Sequence, residues 1–215
     1  MSREPPSLSP SANTGAYGSV PGQAAANDGP LPFGRPLAYI ASLSRSGVSL
    51  MAYVARNDRP ADKAARYLEV EAEVLAVLDG EPNVTARMAT VASMLADAFE
   101  HYFWTGFYVV APDKADELVV GPYQGTLGCL RIAFGRGVCG AAAATGQTQL
   151  VEDVHAFPGH IACDSRSASE IVVPVRDASG ALIAVFDVDA TTPAAFDTDD
   201  QEALERLMAK VFADA

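Results

Sequence analysis

Residues 170–190 read EIVVPVRDASGALIAVFDVDA. Two β-rich runs, EIVVPV and ALIAVFDVDA, flank the turn formers Asp177-Ala178-Ser179-Gly180. The segment therefore reads as two strands joined by a turn. Side chains alternate between the faces of a strand, so Asp187 and Asp189 share one face with Val185. Phe186 and Val188 share the other. ALIAV is apolar throughout, as a strand buried on both faces would be. Two carboxylates at the end of such a strand need a partner, a proton or a cation. A pocket for a ligand amino group would supply one. A carboxyl kept protonated to act as an acid would satisfy the same need. The plainer reading is a solvated strand end with two exposed acids.

Similar signals extend upstream. TGFYVV (105–110) and ELVVGPY (117–123) flank a turn at Pro112-Asp113-Lys114, which predicts a hairpin. LRIAF (130–134) and TQLVED (148–153) add two short strands. Between them GVCGAAAATGQ reads as a short helix closed by Gly146. The stretch from Val154 to Ser169 has no period and reads as a long loop, a kind that is often functional. In DKAARYLEVEAEVLAVLDG a helical stripe runs through Ala65, Leu68, Ala72, Leu75 and Leu78, with Val70, Val74 and Val77 beside it. NVTARMATVASMLADAFEHYF places Val84, Met88, Val91, Leu95, Ala98 and Phe99 on one face of a second helix. FDTDDQEALERLMAKVF forms the last, with a Thr198/Gln201 capping box and Leu204, Leu207, Met208 and Val211 along one side. Strands linked mostly by hairpins predict an α+β fold, one antiparallel sheet with helices packed on it. The globular domain spans residues 62–215. Residues 1–61 form an N-terminal extension, disordered or loosely docked, rich in Pro, Gly, Ser and Ala to about residue 36. Met51 is an alternative start.

The chain has 215 residues, 49% hydrophobic and 20% charged, enough to build a substantial core. Its formal net charge of −12, with no Lys/Arg cluster, argues against nucleic acid or anionic membrane as a partner. No apolar run approaches the ~20 residues of a membrane span. The N-terminus lacks a signal-peptide core, so a cytoplasmic location with reduced thiols is expected. Three cysteines cannot close a disulfide framework and lack zinc-site spacing. Cys129 precedes a strand. Cys139 sits near a helix start, where a thiol pKa falls, among the flexible Gly135, Gly137 and Gly140. Cys163 lies in the polar loop GHIACDSRSASE, where His160 or Arg166 could favour a thiolate. Burial is the ordinary reading of each cysteine alone; the three gain meaning if they meet in space. His155 and His160, with Asp153 or Asp164, fit no zinc pattern, and no metal is expected. A Cys–His pair for acyl transfer lacks an oxyanion motif. Trp104 and Tyr108 read as an aromatic core pair, or as a wall for a small apolar group such as a methyl.

Taken in order, WTGFY, GPYQG, GRGVCG, VEDVH, GHIACD, SEIV and DVD resemble the free methionine-(R)-sulfoxide reductases, which are stand-alone GAF-domain enzymes. The resemblance runs from about Asp62 to the C-terminus and matches all three family cysteines. Ala190 stands where the family tends to carry serine, and residues 1–60 have no counterpart in it. The resemblance implies a GAF-like fold and a thiol reductase of free methionine-(R)-sulfoxide. Cys163 would attack the sulfoxide sulfur. Asp189 would donate to its oxygen. Glu170 and Asp187 would orient the substrate, and Trp104 and Tyr108 would hold the S-methyl. Cys163 would be left as sulfenic acid, which Cys129 or Cys139 would resolve to a disulfide for thioredoxin to reduce. Neither a metal nor an organic cofactor is implied. The alternatives are a GAF small-molecule or redox sensor without turnover, and a structural domain that forms a homodimer through its terminal helices.

Overall fold

The computed structural model describes residues 58–160 and 163–215, together with the backbone of a short antiparallel ladder, Leu43–Ser44 with Ser49–Leu50. The expectations for the rest of the N-terminal extension fall outside the described residues. Four α-helices and six longer strands make up the described domain.

Helix α1 spans Lys63–Val77 and starts on Asp62, whose carboxylate accepts a hydrogen bond from Ala65 N at 2.8 Å. Its buried face differs from the expected stripe. Leu68 is 59% exposed and Val77 is exposed too, whereas Tyr67, Val70 and Val74 are buried. The apolar residues of this helix cover much of its circumference, so periodicity left two candidate faces. Polar contacts decide between them. Tyr67 Oη donates to Asp200 Oδ1 at 2.7 Å, and Arg206 and Lys210 hold Glu71 at 2.7 and 2.6 Å. Helix α2, Val84–Ala98, is capped by Asn83 and buries Met88, Val91, Ala92, Leu95 and Ala98. Phe99 is buried but stands just outside the helix, as its extended C-cap.

Strands β1 (Trp104–Ala111) and β2 (Lys114–Gln124) form the expected hairpin, closed by Pro112 and Asp113. Strand β3 is Arg131–Ala133, helix α3 is Gly137–Thr145 and strand β4 is Gln149–Val151. The expected loop from Val154 opens with one turn of 3₁₀ helix, Val154–Ala156. Strands β5 (Ser169–Arg176) and β6 (Leu182–Ala190) are the two strands expected on either side of the Asp177–Gly180 turn. They close through Asp177, whose Oδ1 accepts from Ser179 N and Ala181 N, and through Gly180 at φ +84°. Helix α4 is Thr198–Val211. Its capping box lies one residue earlier than expected. Asp197 Oδ1 accepts from Asp199 N and Asp200 N, and Asp200 Oδ2 accepts from Asp197 N. An anionic cap also complements the helix dipole, which Thr198 could not do.

The sheet order is β3-β2-β1-β6-β5-β4, and every neighbouring pair is antiparallel. Alternation sorts its central strands into two cores. Phe107, Ile171, Val173, Val175, Phe186 and Val188 pack with α1, α2 and α4. Trp104, Tyr108, Val172 and Val185 face α3, where they meet Val138, Cys139 and Ala142. Strand β6 is therefore covered on both sides, which explains its unbroken apolar start. Helix α3 lies close to β3 because residue 140 is glycine: a Cβ there would stand 2.4 Å from Ala133 O.

Candidate active site

The functional face begins with the register of β5 and β6. Glu170 pairs with Asp189, and Val172 pairs with Asp187. Cross-strand partners share a face, so Glu170, Asp187 and Asp189 all point to the α3 side. Helix α3 brings Cys139 onto them, with its Sγ 3.8 Å from Glu170 Oε1. Glu170 and Asp187 are 6% and 5% exposed. Burial, then the charges of Asp187 and Asp189, pushes the Glu170 carboxyl well above the usual range. Burial and then Asp189 do the same to Asp187. Asp189 is raised to about 6, mainly by burial, with a Ser167 hydrogen bond acting against the shift. Burial, followed by Asp187 and Glu170, also pushes the Cys139 thiol up. Its position near the start of α3 therefore does not yield the lowered pKa expected from sequence. Asp187 Oδ1 is buried and accepts no hydrogen bond.

An aromatic stack stands beside the acids on the same face, where Trp104 is the cross-strand partner of Asp189. Trp104 lies 5.5 Å from Tyr108 and 5.1 Å from Tyr123 between ring centroids, with planes within 19° of parallel. Trp104 Nε1 donates to Thr126 O at 3.0 Å, which fixes the indole. The backbone of Gly128 passes close by. A Cβ at that residue would come within 2.8 Å of Tyr108 Oη.

Two loops meet over this cavity. Cys129, after β2, is joined to Cys163 by a disulfide with Cα atoms 5.4 Å apart. Cys139 is the free thiol and is buried. Cys163 is exposed and Cys129 half-buried. Thr126 Oγ1 donates to Asp164 Oδ2 at 2.8 Å, a second tie between the loops. Arg166, expected as a candidate to favour a Cys163 thiolate, is instead committed to Asp164, with Nη2 2.7 Å from Oδ2. Its guanidinium lies over the Phe103 ring at 4.5 Å. His160 lines the cavity, and burial followed by the His155 charge lowers its pKa, which favours the neutral ring. The cavity is narrow in this disulfide-bonded state, ≈ 40 Å³. Trp104, Tyr108, Cys139 and Cys163 line it together with Glu170, Asp187 and Asp189. The eight candidate residues from the sequence thus lie around one cavity, with Cys129 reaching it through its bond to Cys163. Ser167 and Thr126 had no sequence signal: each is a small polar residue in an irregular segment, and only the folded loops reveal their partners.

A curled antiparallel sheet, flanked by helices and enclosing a small-ligand cavity, defines the class. The GAF domain pattern matches residues 85–211, and the chain belongs to the GAF-domain family. Within that family the comparisons are narrower. The free methionine-R-sulfoxide reductase of Escherichia coli (strain K12) is 43% identical over 114 residues, 53% of this chain and 67% of that protein. The enzyme of the same name from Saccharomyces cerevisiae is 41% identical over 133 residues, 60% of this chain and 74% of its own. A crystal structure of free methionine-R-sulfoxide reductase from Neisseria meningitidis, in complex with its substrate, superposes with a TM-score of 0.69 at 46% identity. It covers 74% of this chain and 94% of that one. The chain belongs to the free methionine-(R)-sulfoxide reductases.

Proposed function

We propose that this chain reduces free L-methionine-(R)-sulfoxide to L-methionine with cysteine thiols, in a unit formed by residues 62–215. The observation that carries the reading is the Cys129–Cys163 disulfide set beside three carboxylates, two of them buried. In the reduced enzyme, the Cys163 thiolate attacks the electrophilic sulfoxide sulfur. Asp189 donates a hydrogen bond, and then a proton, to the sulfoxide oxygen; its raised pKa supports that role. The oxygen passes to Cys163, methionine leaves with two electrons gained by its sulfur, and Cys163 remains as sulfenic acid. The Cys129 thiolate then attacks that sulfur and hydroxide leaves as water, which makes the disulfide. The pairing supports Cys129 as the resolving thiol, an assignment the sequence left open between Cys129 and Cys139. A dithiol protein of the thioredoxin class, available in the cytoplasm, returns both sulfurs to thiols by exchange. Leu127 and Leu130, 74% and 68% exposed on either side of Cys129, offer it apolar contact beside the bond it attacks.

Glu170 and Asp187 receive the substrate ammonium, which supplies the cation their burial calls for. Trp104 and Tyr108 hold the S-methyl against a flat apolar wall. Among the described residues, no helix is long and apolar enough to cross a membrane. The deciding experiment follows turnover of free methionine-(R)-sulfoxide with thioredoxin as reductant. Wild type should act on the R epimer alone, and Cys163→Ser should lose about three orders of magnitude or more. Tight binding without turnover would turn the reading to a GAF-domain sensor. Full activity of Cys163→Ser would remove Cys163 as the nucleophile.

A further inference from the structure

The proposed chemistry uses Cys163 and Cys129 and leaves Cys139 without a task. Its surroundings point to one. The ligating atoms of Cys139, Glu170 and Asp187 all lie within 4.8 Å of one another, and Cys139 Sγ is 3.8 Å from Glu170 Oε1. A tetrahedral ion with bonds of about 2.0 Å to oxygen and 2.3 Å to sulfur holds its ligands roughly 3.3–3.6 Å apart. Small rotamer adjustments close the remaining gap. The three residues stand on α3, β5 and β6, elements of regular structure that hold them in place. A second observation is independent of the spacing. Asp187 is 5% exposed, lines the cavity, and has one buried carboxylate oxygen with no hydrogen-bond partner. The Asp187 side chain is in hydrogen-bond contact with Cys139 and Glu170, and its remaining buried oxygen, an acceptor with no donor, suits a cation. Asp189 lines the same cavity.

We propose that Cys139, Glu170 and Asp187 form a binding site for a borderline-soft divalent cation of the zinc and cobalt class, which occupies the place of the substrate ammonium and blocks the pocket. The sulfur ligand selects this class over magnesium and calcium, which prefer oxygen alone. Two positive charges on the ion also offset the buried carboxylates more fully than one ammonium does. The blocking clause rests on the reductase reading; the cation site does not.

The test uses the full chain in its oxidised form. The Cys129–Cys163 bond then removes two of the three sulfurs, and Cys139 is the remaining thiol. Cobalt(II) added to this protein should produce a thiolate-to-cobalt charge-transfer band that saturates at one ion per chain. Cys139→Ser should abolish the band. Asp187→Asn should keep it but weaken cobalt binding by about tenfold or more. Thermal unfolding of each variant checks that it is folded, and either variant alone suffices as a test. No band in the wild type, a band unchanged in Cys139→Ser, or equal affinity in Asp187→Asn would each overturn the site. For the blocking clause, zinc should raise the apparent KM for methionine-(R)-sulfoxide and leave kcat unchanged; inhibition at constant KM would overturn it. A cobalt band in a protein without sulfoxide turnover would keep the site and remove the reductase reading. Turnover without a band would do the reverse.

Discussion

The two faces of the central sheet come from the same strands and follow opposite rules. On β6, Phe186 and Val188 enter an apolar core under α1, α2 and α4. One residue out of phase, Asp187 and Asp189 enter a cavity under α3 together with a thiol. The first face gains free energy from every residue it buries. The second holds acids that burial keeps away from their preferred charged state. A strand that is secured on one side can carry an unfavourable cluster on the other. The stability of the domain and the chemistry of its site are thus assigned to alternate residues.

The sharpest way to break this division is to truncate the apolar face. Phe186 is fully buried and lies 4.9 Å from Phe107 between ring centroids. Phe186→Ala should lower unfolding stability by about 3–5 kcal/mol in urea denaturation. A loss below 1 kcal/mol would mean that this face does not carry the fold. The matching change on the other face is Asp189→Asn, expected to lower kcat by about 10²-fold with a smaller effect on KM. Equal effects on both would leave Asp189 a positioning role only. Because Asp189 is raised to about 6, the wild-type rate should fall as pH rises above that value, and the variant should lose this limb.

Asp187→Asn tests whether the second face costs stability. Its pKa is raised in the folded chain, so above pH ~4 the folded state holds a proton that the unfolded state has released. Stability from this group is therefore greatest at low pH and declines as pH rises. The variant should be more stable than wild type by about 1–2 kcal/mol at pH 8, and the gap should close toward pH 4. A variant less stable at pH 8 would contradict the division of faces. The smallest effect is expected where neither face reaches. Leu68→Gln, on the exposed side of α1, should change the unfolding midpoint by no more than about 0.5 kcal/mol of stability.

Much of this division was legible in the sequence because the strand period is short and unambiguous. Alternation in FDVDA placed Asp187 and Asp189 together and Phe186 opposite them, as the structure does. Helix α1 was less legible. Leu68 and Val70 both looked eligible for the core, and its orientation depends on Asp200, Arg206 and Lys210, more than 130 residues away. The cap of α4 shifted by one residue because Asp-Thr-Asp-Asp offers two overlapping solutions. The cysteines lay at the limit. Their presence pointed to thiol chemistry, but the pairing of Cys129 with Cys163 depends on where two irregular loops come to rest. No local pattern encodes that placement, nor the bond from Thr126 to Asp164 that accompanies it.

The disulfide also has a mechanical effect on the chain. Its half-cystines are separated by 34 positions, so it closes a ring around β3, α3 and β4. Such a ring restricts the unfolded chain by about 4 kcal/mol in the loop-entropy picture. The disulfide-bonded form should therefore be the sturdier one, slower to be nicked by proteases, and opening the bond would trade durability for freedom of movement.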